Sequence, residues 1–260
     1  MKKETKIGVF DSGIGGITVL KEIIRILPNE NYIYFSDSLY NPYGDKSPKK
    51  IIHRCEEITQ FLIKENCKAI VIACNTASAT AVQYLRKKYK NMLFIAIEPA
   101  YKMVYDYAYE KPTLVMATKG TIRSEKFNLL FQKYNNHKTY LHACIGLADI
   151  IEKGDKEKIQ KYLKKEIGIF KGKVNNVVLG CTHYPLIETQ IREVLGKDIT
   201  FFNGAARLAI HLKDELEARN LLENKEGKVE FLDSQNLPEK EKRFWELLKI
   251  EEGKKYEIIK

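Results

Sequence analysis

Residues 68–76 read Lys-Ala-Ile-Val-Ile-Ala-Cys-Asn-Thr and carry the clearest fold signal in the chain. Its uninterrupted apolar run at 69–73 is typical of a strand buried on both faces of a parallel sheet. A polar Cys-Asn-Thr follows, and residues 76–88 then carry helical periodicity. A buried strand that leads directly into a helix is half of a βαβ unit. The stretch therefore predicts an α/β protein with a mainly parallel sheet.

The same alternation of strand and helix patterns continues on both sides of this stretch. Helical patterns occupy 18–27 and 49–65, and further strand patterns occupy 6–10, 31–35, 93–97, 113–117 and 176–179. Repeated alternation of this kind implies βαβ units rather than a helical bundle or an antiparallel sandwich.

An internal repeat is visible at two pairs of positions. Asp11 and Thr118 lie 107 positions apart, and so do Cys74 and Cys181. The surrounding texts agree loosely, with KAIVIACNT beside NNVVLGCTH and KIGVFDSG beside TLVMATKG. We expect two pseudo-symmetric domains, each with a mainly parallel sheet flanked by helices.

The repeat also predicts where the site lies. Ligands of open parallel sheets bind beyond the carboxyl ends of the strands, where all four of these residues stand. Two halves that face each other would bring Cys74 and Cys181 to opposite walls of one cleft. We expect residues 1–97 plus 209–260 to form the first domain and 98–208 the second, with the chain returning to the first half at its C-terminus.

Each cysteine has neighbours suited to proton transfer. A helix N-terminus lowers the pKa of a thiol from about 8.5, which predicts a reactive Cys74. Asn75 and Thr76 supply hydrogen-bond donors for a carboxylate. His183 lies two residues after Cys181 and is suited to exchange a proton with it or to stabilise its thiolate. Packing is the competing reading of a lone strand-end cysteine.

The glycine-rich turn at residues 11–16 reads Asp-Ser-Gly-Ile-Gly-Gly. A dinucleotide fingerprint requires G-x-G-x-x-G, but position 18 is Thr. We interpret these glycines as permitting a tight turn and a close backbone approach, with Asp11 orienting or accepting a proton from a nearby thiol. A purely structural turn remains the alternative.

Three further features give weaker signals. Residues 41–44, Asn-Pro-Tyr-Gly, form a turn by their chemistry, and at a cleft rim Tyr43 and Gly44 would supply donors. Thr118 and Thr121 carry hydroxyls at another strand end. Glu152 is expected to be a solvated helix residue unless it reaches His183.

Composition limits the class of protein. The chain has 260 residues and a net charge of +10, but its lysines are scattered among many glutamates instead of forming a basic stripe, so no nucleic-acid partner is expected. Its five cysteines lack zinc spacing and favour reduced thiols. Without an export signal or a run of about 20 apolar residues, a cytoplasmic protein that does not span a membrane is expected.

Five motifs together resemble the glutamate racemases of the aspartate/glutamate racemase superfamily. They are DSGIGGITVL at 11–20, PYG at 42–44, ACNTASA at 73–79, ATKGTIRS at 117–124 and LGCTHYP at 179–185. The resemblance covers residues 5–210. It departs at Asn203-Gly204, where many members have an Asp-Ser-like pair, and beyond residue 215.

The resemblance implies two α/β domains with the active site between them and no cofactor or metal. Cys74 and Cys181 would be the catalytic pair, with Asp11 assisting Cys74, His183 assisting Cys181 and Glu152 orienting His183. The implied substrate contacts are Asp11, Ser12, Tyr43, Gly44, Asn75, Thr76, Thr118, Thr121, Thr182 and His183. It further implies a homodimer that supplies D-glutamate for peptidoglycan.

Three alternatives remain open on the sequence. The first is an aspartate or other acid racemase of the same superfamily, although His183 after Cys-Thr favours glutamate because aspartate racemases tend to carry an acidic residue there. The second is a NAD-dependent oxidoreductase using the glycine-rich turn, against which the failed fingerprint argues. The third is a non-catalytic module that binds nucleic acid through its net positive charge.

Overall fold

The computed structural model describes residues 5–224 and 226–249. Strands within these residues are β1 (Lys6–Asp11), β2 (Tyr32–Ser36), β3 (Cys67–Ile72), β4 (Leu93–Ala96), β5 (Thr113–Ala117), β6 (Thr139–Ala143), β7 (Asn176–Gly180), β8 (Thr200–Phe202) and β9 (Val229–Asp233). The α-helices are α1 (Ile17–Ile26), α2 (Pro48–Lys64), α3 (Asn75–Lys88), α4 (Tyr101–Ala108), α5 (Lys119–Arg123), α6 (Glu125–Tyr134), α7 (Leu147–Lys153), α8 (Lys156–Ile167), α9 (Glu188–Leu195), α10 (Ala205–Ala218) and α11 (Pro238–Leu248).

The strands form two parallel sheets with the same internal order. The first sheet runs β4-β3-β1-β2-β9 and the second, read from its other edge, runs β8-β7-β5-β6. Three strand pairs begin 107 positions apart, namely β1 and β5, β2 and β6, and β4 and β8. The predicted α/β class with two related sheets is confirmed.

The first lobe, built on the first sheet, owes its layers to amphipathic helices. The apolar face of α1, including Leu20 and Ile23, is fully buried between the sheet and α10. On the opposite face, α2 and α3 pack through residues such as Leu62 and Leu85. Burial of apolar surface on both faces is what makes the central strands continuous hydrophobic runs.

The C-terminal part of the chain returns to the first lobe. Strand β9 pairs with β2, and α11 packs Phe244 against the Phe231 ring with centroids 4.3 Å apart. The sequence reasoning did not identify β9, because Val-Glu-Phe-Leu-Asp lies in a highly charged segment and its edge position requires only half-buried side chains.

The second lobe, built on the second sheet, joins the first through residues 97–100 and 203–204. The two crossings touch, since a Cβ at Gly204 would lie 2.5 Å from the carbonyl oxygen of Glu98. The Asn203 side chain accepts a hydrogen bond at 3.1 Å from the backbone N–H of Ala205, which is the first residue of α10. The expected domain limits stay a prediction; α10 spans the 208/209 limit, and a division at 204/205 would keep it whole.

The described helices include none that combines the length and the apolar character needed to cross a bilayer.

Candidate active site

The candidate site lies where the carboxyl ends of the central strands of both sheets meet, which we call the seam. It comprises residues 11–16, 74–76, 118–121 and 181–183. Asp11 ends β1, Thr118 follows β5, and the two cysteines follow β3 and β7. The sequence prediction that these four strand ends converge is therefore realised by the packing of one lobe against the other.

Cys74 lies at the N-terminus of α3 with only 5% of its surface exposed. The backbone N–H of Ala77 donates to its Sγ at 3.5 Å, and the Ser12 hydroxyl lies 3.7 Å away. Burial nonetheless raises the pKa of Cys74 to about 12, and the charge of Asp11 adds to the increase. The expectation of a lowered pKa is wrong for this buried state, because loss of solvation outweighs the helix terminus.

Cys181 belongs to a chain of three side chains. Its Sγ lies 3.7 Å from Nδ1 of His183, whose Nε2 is 2.7 Å from Oε2 of Glu152. Burial would lower the pKa of His183, but its hydrogen bonds to Cys181 and Glu152 outweigh burial and raise that pKa well above its usual value. These two hydrogen bonds therefore favour the protonated form of the His183 ring.

Glu152 reaches His183, which is the condition under which the sequence did not predict a solvated residue, and its side chain is only 9% exposed. Burial would raise its pKa, yet the hydrogen bond to His183 and the His183 charge lower the pKa to about 2. The Ile14 backbone N–H donates to Glu152 at 3.0 Å. The carboxylate thus fixes the orientation of His183 and ties the second lobe to the glycine-rich turn of the first.

Asp11 is fully buried and also bridges the lobes. Its Oδ1 accepts from the Thr182 hydroxyl at 3.1 Å, and its Oδ2 accepts from the Gly13 backbone at 3.2 Å. Burial raises the pKa of Asp11 to about 6, although the His183 charge opposes the increase. Asp11 therefore acts on Cys74 through its charge while its hydrogen bonds go to Thr182 and the turn.

The glycines of the 11–16 turn permit close approach between lobes. A Cβ at Gly15 would lie 2.4 Å from Nδ1 of His183, and one at Gly13 would lie 2.6 Å from Glu152. Contacts this short do not occur in real structures, so neither position accepts a side chain without displacing the pair. The interpretation of these glycines as permitting backbone approach is confirmed.

Three hydroxyls meet across the seam. Thr76 Oγ1 lies 2.8 Å from Thr118 Oγ1 and 3.4 Å from Thr121 Oγ1, and Thr118 donates to Thr121 at 3.0 Å. The neighbouring Asn75 is 3% exposed, and neither its amide oxygen nor its amide nitrogen has a hydrogen-bond partner among the described residues. Buried polar atoms are normally satisfied, so Asn75 is a group prepared for a polar ligand.

The 41–44 turn contains Tyr43, which the sequence predicted as a site residue. Tyr43 belongs to a hydrogen-bond network with Asp37 and Arg54 that the sequence did not predict. The Tyr43 hydroxyl is buried and donates to Asp37 at 2.5 Å, while Arg54 binds the same carboxylate through two nitrogens. Gly44 lies against Thr118, whose Cβ would be 3.0 Å from an added Cβ. Asp37 directly follows β2, so its strand-end position was the available signal.

A cavity of about 680 Å³ opens beside Thr76 at the seam. Its walls include Thr76, Lys119 and Gly120 from the seam, Gly44 from the 41–44 turn, and the basic side chains of Lys46 and Arg123. Thr76 is the one of the three seam hydroxyls that lines this cavity, and neither Cys74 nor Cys181 lies in its wall. No cluster of three or more His, Cys, Asp or Glu side chains suited to a metal ion occurs within 5–224 and 226–249.

Comparison with known proteins agrees with this geometry. Residues 7–209 match the family model described as Asp/Glu/hydantoin racemase. The chain belongs to this family. A glutamate racemase of Clostridium botulinum is 41% identical over 239 residues, which are 90% of this chain and 93% of that protein.

Solved structures of this racemase family share the whole architecture. Glutamate racemase RacE1 from Bacillus anthracis has a TM-score of 0.83 and 30% identity, covering 99% of this chain and 97% of its own. The Francisella tularensis glutamate racemase, solved with D-glutamate, has a TM-score of 0.79 and 32% identity, covering 99% and 98%. The recognised resemblance is confirmed, and the chain is an enzyme of the racemase class rather than an oxidoreductase or a non-catalytic module.

Proposed function

We propose that this enzyme interconverts L- and D-glutamate without a cofactor, using Cys74 and Cys181 as its two acid–base groups. The observation that carries the proposal is the position of the two thiols. They follow equivalent strands of two related sheets, and both are buried at the seam, near enough that Cys181 contributes to the raised pKa of Cys74.

Racemisation requires one proton to leave the α-carbon on one face and another to arrive on the opposite face. In the proposed reaction one cysteine, as thiolate, removes the α-proton and becomes a thiol. The opposite cysteine, starting as a thiol, gives its proton to the other face and becomes a thiolate. The C–H bond broken and the C–H bond formed balance, and no electrons leave the substrate. By the family resemblance, Cys181 takes the proton from L-glutamate and Cys74 takes it from D-glutamate.

The energetic problem is the weak acidity of the α-proton. A positioned acid or base contributes only about 10²–10⁴-fold, so charge stabilisation must supply much of the remainder. The unpartnered amide of Asn75 and the hydroxyls of Thr76, Thr118 and Thr121 are suited to hold a substrate carboxylate. Exclusion of water at the seam strengthens each of these interactions.

The remaining site residues have distinct proposed roles. His183 exchanges a proton with Cys181, and Glu152 holds the ring in position. Asp11 assists Cys74 through its charge, and Ser12 and Thr182 contact the substrate beside the two thiols. The Tyr43-Gly44 backbone lines the rim, since the Tyr43 hydroxyl is already bound to Asp37.

Glutamate is proposed over aspartate for two reasons. The relatives at about 40% identity carry the name glutamate racemase, and the Francisella neighbour was solved with D-glutamate. His183 also stands where aspartate racemases tend to carry an acidic residue. We further propose a cytoplasmic homodimer whose D-glutamate enters peptidoglycan synthesis.

The experiment that tests the function is incubation with L-glutamate in D₂O without added cofactor. Loss of optical activity together with deuterium at the α-carbon is the expected result. Cys74→Ser should abolish racemisation but leave α-hydrogen exchange in L-glutamate, and Cys181→Ser should leave exchange only in D-glutamate. Cys67→Ser, a buried cysteine at the opposite end of β3, is the matched control and should keep both activities.

Each other outcome has a defined meaning. α-Hydrogen exchange with aspartate but not with glutamate would indicate an aspartate racemase of the same superfamily. Full racemisation by either seam-cysteine variant would exclude the two-thiol mechanism. Wild-type protein inert towards both amino acids would contradict the proposed function.

A further inference from the structure

Helix α11 brings two cations from the first lobe to the second. Lys240 Nζ lies 3.4 Å from Oε1 of Glu152. One turn further along, Arg243 donates to the backbone carbonyl oxygens of Ile151, at 2.7 Å, and Glu152. These carbonyls belong to the last turn of α7, where the helix terminus favours cations, and the Ile151 carbonyl also accepts from the Gly154 N–H at 2.9 Å.

The first lobe holds α11 through an aromatic core. Phe244 is fully buried, stacks on Phe231 and lies 5.1 Å from the Tyr34 ring. Tyr34 in turn donates to the Gly13 carbonyl oxygen at 2.7 Å. The same core that holds the glycine-rich turn therefore also holds Lys240, and both contact Glu152.

Glu152 consequently divides its two oxygens between competing partners. Oε2 faces His183 at 2.7 Å, while Oε1 faces Lys240, and the Ile14 backbone approaches both. The side chain is 9% exposed, so little water weakens these interactions. Asp11, Cys181 and Tyr34 also interact with this pair through charge, and the Arg243 guanidinium lies against the Glu152 backbone.

We propose that Lys240 is a positioning residue that acts through Glu152 to set how readily His183 gives its proton to Cys181. Lys240 neutralises part of the carboxylate charge that would otherwise hold the imidazolium proton. Arg243 keeps the end of α7 in place so that this sharing persists. The inference rests on the proposed function for its kinetic consequence, whereas its effect on His183 does not require turnover.

Kinetics in the two directions separate positioning from folding. L- and D-glutamate are enantiomers of equal free energy, so kcat/KM must be the same in both directions for every variant. Loss of folded enzyme would lower both kcat values by one factor and leave both KM values unchanged. If only the proton transfer between His183 and Cys181 changes, the ratio of the two kcat values changes instead. The ratio of the two KM values then changes by the same factor.

The test compares Lys240→Met with Lys240→Arg and with Lys242→Met, which removes an exposed lysine of the same helix. We expect Lys240→Met to change the ratio of the kcat values by about 3- to 10-fold, equivalent to half to one pKa unit. Lys240→Arg should restore the wild-type ratio because it retains the charge, and Lys242→Met should not change it.

The second readout is the titration of the His183 ring by NMR in the free enzyme, assigned with His183→Gln. Removing a nearby cation should raise its midpoint in Lys240→Met, by about half to one unit, and leave it unchanged in Lys242→Met. An unchanged midpoint and an unchanged kcat ratio would overturn the proposal while leaving racemisation intact. If the wild type fails to racemise glutamate, the proposed function fails, and the midpoint alone still decides the role of Lys240.

Discussion

At the scale of single residues, the two seam cysteines have equivalent backbone positions and different surroundings. Cys74 is next to a hydroxyl, a helix N–H and the charge of Asp11, and its pKa is raised. Cys181 is next to the His183 ring, which is hydrogen-bonded to the Glu152 carboxylate. A two-base reaction needs one cysteine as thiolate and the other as thiol when either enantiomer binds. The proposed chemistry therefore requires unequal surroundings of this kind.

Asp11 gives a pH-dependent prediction. Its pKa is about 6 when folded against an ordinary value of 3.8. Between these values the folded protein keeps a proton that the unfolded chain has lost, so the free energy of unfolding falls as pH rises. The loss is complete above about pH 6 and absent below about pH 4, and two pKa units correspond to about 3 kcal/mol.

Asp11→Asn removes this titration. Its stability relative to wild type should therefore rise by about 3 kcal/mol from about pH 3.5 to about pH 7.5 in urea unfolding, while activity falls. The exposed Asp214→Asn is the control and should show no such trend. A constant difference between Asp11→Asn and wild type across this range would show that Asp11 is not destabilised by burial.

At the scale of elements, the turn from β1 into α1 is shaped by what the other lobe places against it. We predict that Gly15→Ala lowers kcat/KM by about 10²-fold or more, because the new methyl displaces His183 from Cys181 and Glu152. Gly168→Ala is the matched control, since nothing lies within 4 Å of its added methyl and its φ of −57° suits alanine. Wild-type kinetics for Gly15→Ala would mean that catalysis does not depend on this position of the His183 ring.

At the scale of the whole molecule, both thiols are buried, with 5% and 7% of their surfaces exposed. We therefore expect substrate to enter through a separation of the lobes. Labelling of Cys74 and Cys181 by a thiol reagent should report that separation, and D-glutamate at 100 times its Kd should slow labelling about 100-fold by mass action. The readout is mass spectrometry of the labelled peptides.

Cys67 provides the internal control for this experiment. It is 5% exposed and lies at the start of β3, at the opposite end of the strand from the seam. Its labelling should be unchanged by D-glutamate if the lobes separate as units. Equal slowing at Cys67 would show that the reagent gains access by global unfolding, which contradicts separation of the lobes.

Local sequence patterns predict the α/β class, the strands β1 to β5 and β7, and the cysteines that follow two of these strands. These features are local, since a short apolar run followed by an amphipathic helix favours a strand–helix unit in many contexts. The equal spacing of Asp11 to Thr118 and of Cys74 to Cys181 predicted two related sheets. Residues that follow equivalent strands of two related sheets are separated by the same number of positions.

Only the tertiary structure decided how these residues behave chemically. The helix N-terminus at Cys74 predicted a lowered pKa, but burial reversed its sign, and burial depends on how the lobes pack. Glu152 looked solvated within its own helix, and became a buried anion because Ile14 and His183 come from elsewhere in the chain. Lys240, β9 and the Asp37 network likewise act through partners distant in sequence, and no local pattern records such partners.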